Sequence, residues 1–408
     1  MSEAMPTIER PFLLTTPIPH YLHEDGSIWL HRIWHHDLIE HLTYLRDFTL
    51  ASPRLPWSAD ADLVRVDPPA GARFSVVPIP ALDSFGEAIR NLPRLTAILW
   101  KAIGRADIVQ SGVAGWPVAM GWIANPITLI RHKKLLIIVE SAFWRIGEGQ
   151  RPTWKARIRA SVTEFLARWF VNRAHILFFT QPSYRASLLT AGRGKAYIIP
   201  ATWINDEDIL SDREAERSWE LRSSGPAREA RVIYAGRLLT EKGVDVLLAA
   251  VQQLDDAGVP VRVDVIGEGA RREACIATAQ RLETAEMSVL APVSYGRELF
   301  ELLRRYDAVV VPSVGDEQPR VVFDAYSQAL PVLASNTDGL VAHVIDGETG
   351  RIFEAGDPAS LAQTLRDASD TAALRRMGMN ALAAARGLTH REMHRMHWRS
   401  ILDALGIA

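Results

Sequence analysis

The sequence predicts an α/β protein built from two doubly wound domains. Three observations carry that expectation. The chain has 408 residues, more than one ordinary core takes up. Short apolar runs alternate with amphipathic stretches through the second half, the pattern of parallel strands joined by crossover helices. A charged stretch with a Ser-Ser-Gly-Pro break, residues 212–231, separates two regions of different composition, and 11 of the 12 tryptophans precede Glu220. The rest of the composition is ordinary, with 48% hydrophobic and 23% charged residues. A formal net charge of -2 gives no electrostatic case for a nucleic-acid partner. Cys275 is the single cysteine, so no internal disulfide forms and a reducing, cytoplasmic setting is expected. The opening residues lack a basic segment followed by a long apolar core, so no signal peptide is expected.

In the second half, "RVIYAG" (231–236), "VRVDVIG" (261–267), "DAVVVPS" and "PVLAS" read as strands. Between and after them, "GVDVLLAAVQQLDDAG", "ARREACIATAQRLETA", "RELFELLRRY", "PRVVFDAYSQAL", "PASLAQTLRDAS" and "TAALRRMGMNALAAARGL" have helical spacing. Ligands of such sheets bind at the carboxyl ends of the strands. In the first half, "RPFLLTTPIP", "ADIVQSG", "KLLIIVES", "HILFFTQPS" and "KAYIIPAT" read as strands and residues 154–174 as a helix. Two similar sheets facing each other across a cleft follow. The expected boundaries are 1–210 for the first domain, 211–230 for a linker and 231–385 for the second domain. Residues 386–408 then return to the first, because they carry Trp398, the one late tryptophan. Residues 108–130 lack charge, but Pro117, Pro126 and several polar groups favour strand, loop and buried helix over a membrane span.

The motif that narrows the field is "YAGRLLTEKGVDVLLAAV" (234–251), which follows a strand and opens a helix. Gly236 permits close backbone approach. Arg237 and Lys242 flank a tight loop, and the helix from Gly243 points its positive end to the same place, a site suited to a diphosphate. A solvated loop with two surface cations is the plain alternative. This motif, with "PSVGD", "DA", "ALPV" and "DGETG" (346–350) after it, resembles the family 4 retaining glycosyltransferases of GT-B architecture. Residues 230–385 carry the resemblance well, and the first domain follows it only in outline.

The resemblance implies a nucleoside-diphosphate sugar bound by the second domain, its diphosphate gripped by Arg237 and Lys242. Those cations would stabilise charge on the leaving group, so no metal or other cofactor is expected. "GEGARR" (267–272) lacks the third glycine of a dinucleotide fingerprint. The family has two glutamates with seven residues between them. In this register Asp324 takes the second place, at the ribose hydroxyls, and Asp316 the first, at the donor sugar. Glu317 is the alternative to Asp316. Asp is one methylene shorter than Glu, a loss of reach that bears on catalysis. Arg320 and Val321 fall in the same donor-binding stretch. Ala342 replaces an acid of the family pattern, so the donor's identity does not carry over.

"PHYLHEDGSIWLHRIWHHDLIEHL" (19–42) holds six of the 12 histidines. No cysteine is near and no paired spacing is evident, so no metal site is expected there. His20 and His23 lie in the loop that the resemblance turns toward the phosphates and the acceptor. Glu140 ends a strand where relatives often place a His or Asp. Residues 151–173 hold six basic residues and one acid, interleaved with aromatics. They suit peripheral docking on anionic lipid at the inner membrane face, or equally an amphipathic core helix with a solvated basic face.

The function expected is retaining transfer of a sugar to a saccharide or lipid-linked acceptor in polysaccharide or glycoconjugate biosynthesis, with the acceptor on the first domain. The alternative is an inactive relative acting as a nucleotide- or partner-binding module, motivated by the two Asp-for-Glu positions and Ala342. An epimerase or phosphorylase on the same architecture is a distant third, and no pyridoxal-phosphate lysine motif supports the latter.

Overall fold

The computed structural model describes residues 6–59, 62–115, 118–146, 152–223, 229–315 and 318–407. They form two compact units, the first from residues before 147, 150–199 and 394–408, the second from 200–393.

Ten strands make the sheet of the first unit: β1 (Phe12–Thr15), β2 (His20–Leu22), β3 (Ile28–His31), β4 (Asp47–Pro56), β5 (Leu63–Arg65), β6 (Arg73–Ile79), β7 (Ile108–Ser111), β8 (Lys134–Val139), β9 (Ile176–Phe179) and β10 (Lys195–Ile198). The order β10-β9-β8-β7-β1-β4 is parallel throughout, and β6 joins the far side of β4. The end of β4 carries a small extension in which β2 pairs parallel to it and β3 and β5 follow antiparallel. Central strands such as "ILFF" in β9 are buried at every position, as a sheet covered by helices on both faces requires. The sequence reading located β1 and β7 to β10 but not β2 to β6.

The sheet of the second unit has six parallel strands: β11 (Arg231–Ala235), β12 (Arg262–Ile266), β13 (Glu286–Leu290), β14 (Ala308–Val311), β15 (Val332–Ser335) and β16 (Gly350–Phe353). Their order is β13-β12-β11-β14-β15-β16. The chain thus builds outward from β11 in one direction, then restarts beside it at β14 and builds in the other. β13 and β16 add to the four strands expected there.

The expected linker at 211–230 is corrected in its first half. Asp212–Ser223 is a helix. Ala215 and Trp219 have no exposed surface, and Arg222 is buried beside them. These fall at spacings of four and three on one helix face, a stripe too narrow to show in a segment otherwise charged. The Trp219 indole donates to the Ala329 carbonyl oxygen at 3.0 Å, and the Arg222 guanidinium covers the ring at 3.8 Å from its centroid. Residues 224–228 lie outside the described residues.

The last helix, His390–Leu405, begins in the second unit and ends in the first. His397 stacks on Phe178 with ring centroids 4.6 Å apart. Lys195 Nζ donates to Asp403 Oδ1 at 2.7 Å, and the Trp398 indole donates to the Pro6 carbonyl oxygen at 2.8 Å. Among the described residues, no helix is long and apolar enough to cross a membrane. The uncharged stretch 108–130 is divided between β7 and the helix Gly121–Ile130.

Candidate active site in the second unit

The reversal of strand order lies between β11 and β14, and a crevice at the carboxyl ends of such a pair is where open parallel sheets bind ligands. The loop after β11 is Gly236–Gly243, with the Arg-Lys motif. The loop after β14 is Pro312–Arg320, with the acids. Main-chain hydrogen bonds lace the two together: the Glu241 carbonyl oxygen accepts from the N–H groups of Val314 and Gly315, both at 3.2 Å. On its other side the first loop is tied to β12 and the residues after it. Gly236 N–H donates to Ile266 O at 3.0 Å, and Leu238 N–H donates to Glu268 O at 2.8 Å.

Glycines make these approaches possible. Gly243 closes a short turn of tight helix with φ 74° and caps the helix Val244–Asp256. A Cβ there would stand 1.6 Å from the Pro312 carbonyl oxygen. A Cβ on Gly267 would stand 1.8 Å from Gly236 O. The "GEG" at 267–269 therefore lets the β12 loop lie against the cation loop, a packing role that the dinucleotide comparison did not reveal. Arg237 is exposed and Lys242 half-buried. The buried Tyr234 hydroxyl donates to the Arg237 carbonyl oxygen at 2.7 Å, fixing the backbone from which that guanidinium extends.

Asp316 and Glu317 lie outside the described residues. Of the residues on either side, Gly315 donates its N–H to the Glu241 carbonyl oxygen. Gln318 Oε1 accepts from Ala201 N–H at 3.1 Å. Arg320 is exposed, with its guanidinium 5.6 Å from the centre of the Trp203 ring, which in turn stacks on His390. Val321 is half-buried and opens the short helix Val321–Ser327.

Asp324 stands on that helix and is 5% exposed. Its Oδ1 accepts from the Tyr295 hydroxyl at 3.0 Å. Burial raises its pKa from 3.8 to about 7. The Tyr295 hydrogen bond and the Arg320 charge pull it down, and Asp208 adds to the rise. Burial and the Asp324 charge push the Tyr295 phenol well above its ordinary range. Tyr295 follows β13, 29 residues before Asp324, and no sequence spacing pointed to it.

A carboxyl with a raised folded-state pKa carries its proton in the fold at pH values where the unfolded chain has lost it. Its contribution to stability is therefore complete below about 3.8 and is lost as pH rises through about 7. Asp324→Asn is expected to be the more stable protein at pH 8, by on the order of 1–3 kcal/mol, with no such advantage at pH 4. Urea melts at the two pH values check this, and an advantage that does not grow with pH refutes it.

The first-unit candidates stand elsewhere in the chain. His20 is 3% exposed, with Nδ1 2.8 Å from Ser52 Oγ. Burial and the nearby Arg54 lower its pKa to about 4, so its ring is neutral at pH 7. His23 meets Trp57 edge to face at 4.8 Å and lies 3.0 Å from Asp25. Glu140 is exposed just past β8. His20 and His23 belong to the β2 segment and Glu140 to the end of β8, which are not neighbouring strands of the sheet.

A family model described as glycosyl transferases group 1 matches residues 229–370, the whole of the laced-loop region. The matches support a family 4 glycosyltransferase. It is 30% identical over 296 residues to a D-inositol 3-phosphate glycosyltransferase of Streptomyces avermitilis, a match spanning 68% of this chain and 61% of that one. The enzyme of the same name from Nocardia farcinica is 27% identical over 300 residues, 70% of this chain and 64% of the relative. The match thus covers under two thirds of either relative's length. Among solved structures, sucrose-phosphate synthase from Thermosynechococcus elongatus superposes with a TM-score of 0.69 at 17% identity, covering 98% of this chain and all of the other. HepE of Anabaena, solved with UDP-glucose, gives 0.63 at 15% identity, covering 97% and all. Both share with this chain the GT-B fold of two parallel-sheet units.

Proposed function

We propose that the protein transfers a sugar, with retention of anomeric configuration, from a nucleoside-diphosphate sugar to a saccharide or lipid-linked acceptor in glycoconjugate assembly. The observation that carries this reading is the hydrogen-bonded lacing of the β11 and β14 loops at the point where strand order reverses. It supports a reading in which the loop of Arg237 and Lys242 and the N-terminus of the helix from Val244 meet the loop after β14 at one edge of one sheet. In this reading Arg237 and Lys242, with the N–H groups around Gly243, take up the charge that develops on the leaving diphosphate. No metal or other cofactor is needed for that step. Asp324, relieved of Tyr295 or sharing it, accepts from the ribose hydroxyls, and Arg320 and Val321 belong to the same donor-binding stretch. Asp316 serves the sugar near its reacting carbon, with Glu317 the alternative. His20, His23 and Glu140 belong to the acceptor side.

The test is release of nucleotide from a panel of UDP-, GDP- and dTDP-sugars, with saccharides and an inositol phosphate among the acceptors. UDP-glucose and inositol phosphate enter the panel through the names of the relatives. Acceptor-dependent release that Mg²⁺ or Mn²⁺ does not alter is the expected result. Binding without turnover across the panel would support the second reading, a nucleotide-binding module. Turnover that survives Asp316→Asn but not Glu317→Gln moves the sugar-facing role to Glu317.

Peripheral membrane contact belongs to the same proposal. On the helix Trp154–Val171, Trp154, Ile158, Val162 and Phe165 are all at least 46% exposed, on one face at spacings of four, four and three. Lys155, Arg157 and Arg159 are exposed beside them. The expected outcome is co-sedimentation with anionic but not zwitterionic vesicles, reduced several-fold in a Trp154→Ser, Phe165→Ser variant. Equal sedimentation of variant and wild type removes this helix from the account.

A further inference from the structure

The first unit holds a second cluster of ligating side chains, which the proposed reaction leaves unused. Asp37 and His41 stand one turn apart on the helix Arg32–Tyr44, so both leave the same face. His394 reaches them from the last helix, His390–Leu405. Asp37 Oδ1 lies 3.2 Å from His394 Nε2, and Asp37 Oδ2 lies 3.4 Å from His41 Nδ1. One ligand atom from each residue falls within 4.8 Å of the other two. The two imidazoles meet edge to face, centroids 4.6 Å apart. His41 and His394 are 5% and 1% exposed, an environment that holds bulk water off the group.

We propose that Asp37, His41 and His394 bind one divalent transition-metal ion, zinc by the chemistry of the donors, as a structural site that holds the last helix to the first unit. Two imidazoles and a carboxylate are a borderline N,O donor set of the kind zinc takes, with a water completing the shell. The outer contacts suit this role. The Tyr44 hydroxyl lies 3.1 Å from His394 Nδ1, and Tyr44 is itself fully buried. Accepting from Nδ1–H there leaves the lone pair of His394 on Nε2, the nitrogen that faces Asp37. His41 Nδ1, the nitrogen that faces Asp37 Oδ2, also lies 2.9 Å from the Asp37 main-chain oxygen, so it ligates only by giving up a proton it can hold there. The rival account is a proton shared between Asp37 and the two rings, with no ion. The histidine-rich stretch shows no paired spacing of its own, because the third ligand lies 357 residues beyond Asp37.

The experiment uses the full chain, stripped with a chelator and titrated with Zn²⁺ and with Co²⁺ as a spectroscopic probe. One ion per chain, a sub-micromolar Kd, visible d–d absorption from Co²⁺ and a rise in Tm on adding Zn²⁺ are expected. Tyr44→Phe, which keeps the ring in the core, should weaken Zn²⁺ binding about tenfold, and His394→Gln by about 100-fold or more. Binding that is absent in the wild type, or unchanged in Tyr44→Phe and His394→Gln, overturns the proposal and leaves the shared proton. Where His394→Gln folds poorly, the wild-type Co²⁺ spectrum and Tyr44→Phe decide. None of these readouts depends on sugar transfer.

Discussion

Replacing Arg237 or Lys242 with alanine is expected to lower kcat by about 10²–10³-fold, the effect of removing one preorganised group that stabilises developing charge. Both residues stand on a loop held from two sides by main-chain hydrogen bonds, which neither substitution removes. The exposed Arg237 in particular contributes little to stability. The loss should therefore appear in turnover and in affinity for a nucleoside diphosphate, while Tm and affinity for the bare nucleoside stay close to wild type. Arg237→Lys should restore part of the loss, since a point charge answers a diphosphate without the planar fork. Calorimetric titration with nucleoside and nucleoside diphosphate separates these outcomes. Unchanged diphosphate affinity in both alanine variants would remove the cations from the mechanism.

The second large effect concerns Gly243. Gly243→Ala is expected to destabilise the second unit by roughly 2–5 kcal/mol, from a left-handed backbone and a collision together. The φ of 74° is unfavourable to any Cβ, and this Cβ would meet the Pro312 carbonyl oxygen at 1.6 Å. Gly347 is the internal control. It has the same φ of 74°, yet a Cβ there meets only Arg351 Nη1, at 4.0 Å. Gly347→Ala should cost only the conformational part, about 1–2 kcal/mol. Denaturant melts of the two variants isolate the collision, and equal losses would show that the Pro312 approach is relaxed at no cost. The collision also forces the β11 and β14 loops apart. Gly243→Ala should therefore lose donor affinity at temperatures where it is still folded, and Gly347→Ala should not.

The legible parts of the fold were those in which local pattern and global role coincide. Strands buried on both faces, such as β9 and β14, read as unbroken apolar runs. The motif at 236–250 was readable because the same residues must turn, approach a neighbouring backbone and start a helix. β4 was not, because "DFTLASPRLP" breaks its apolar run with Ser52, Pro53 and Arg54 and spends its end on the small antiparallel extension. The helix Asp212–Ser223 hid behind its charges, since one indole anchors it. At the candidate site, the missing parts were those set by tertiary approach. Tyr295 reaches Asp324 from a loop with no periodic relation to it, and Gly267 and Gly269 serve a neighbour's carbonyl rather than a motif of their own.

The path of the last helix bears on how the chain is made. The surface that receives Lys195, Phe178 and Pro6 partners is finished only by residues 394–408. A ribosome adding about 5–20 residues per second has β10 behind it for about 10–40 s before those residues appear. Through that interval the second unit can complete its own sheet, while the first waits with Tyr44 and Phe178 uncovered on one side. The half of the protein synthesised first is thus the half that finishes folding last.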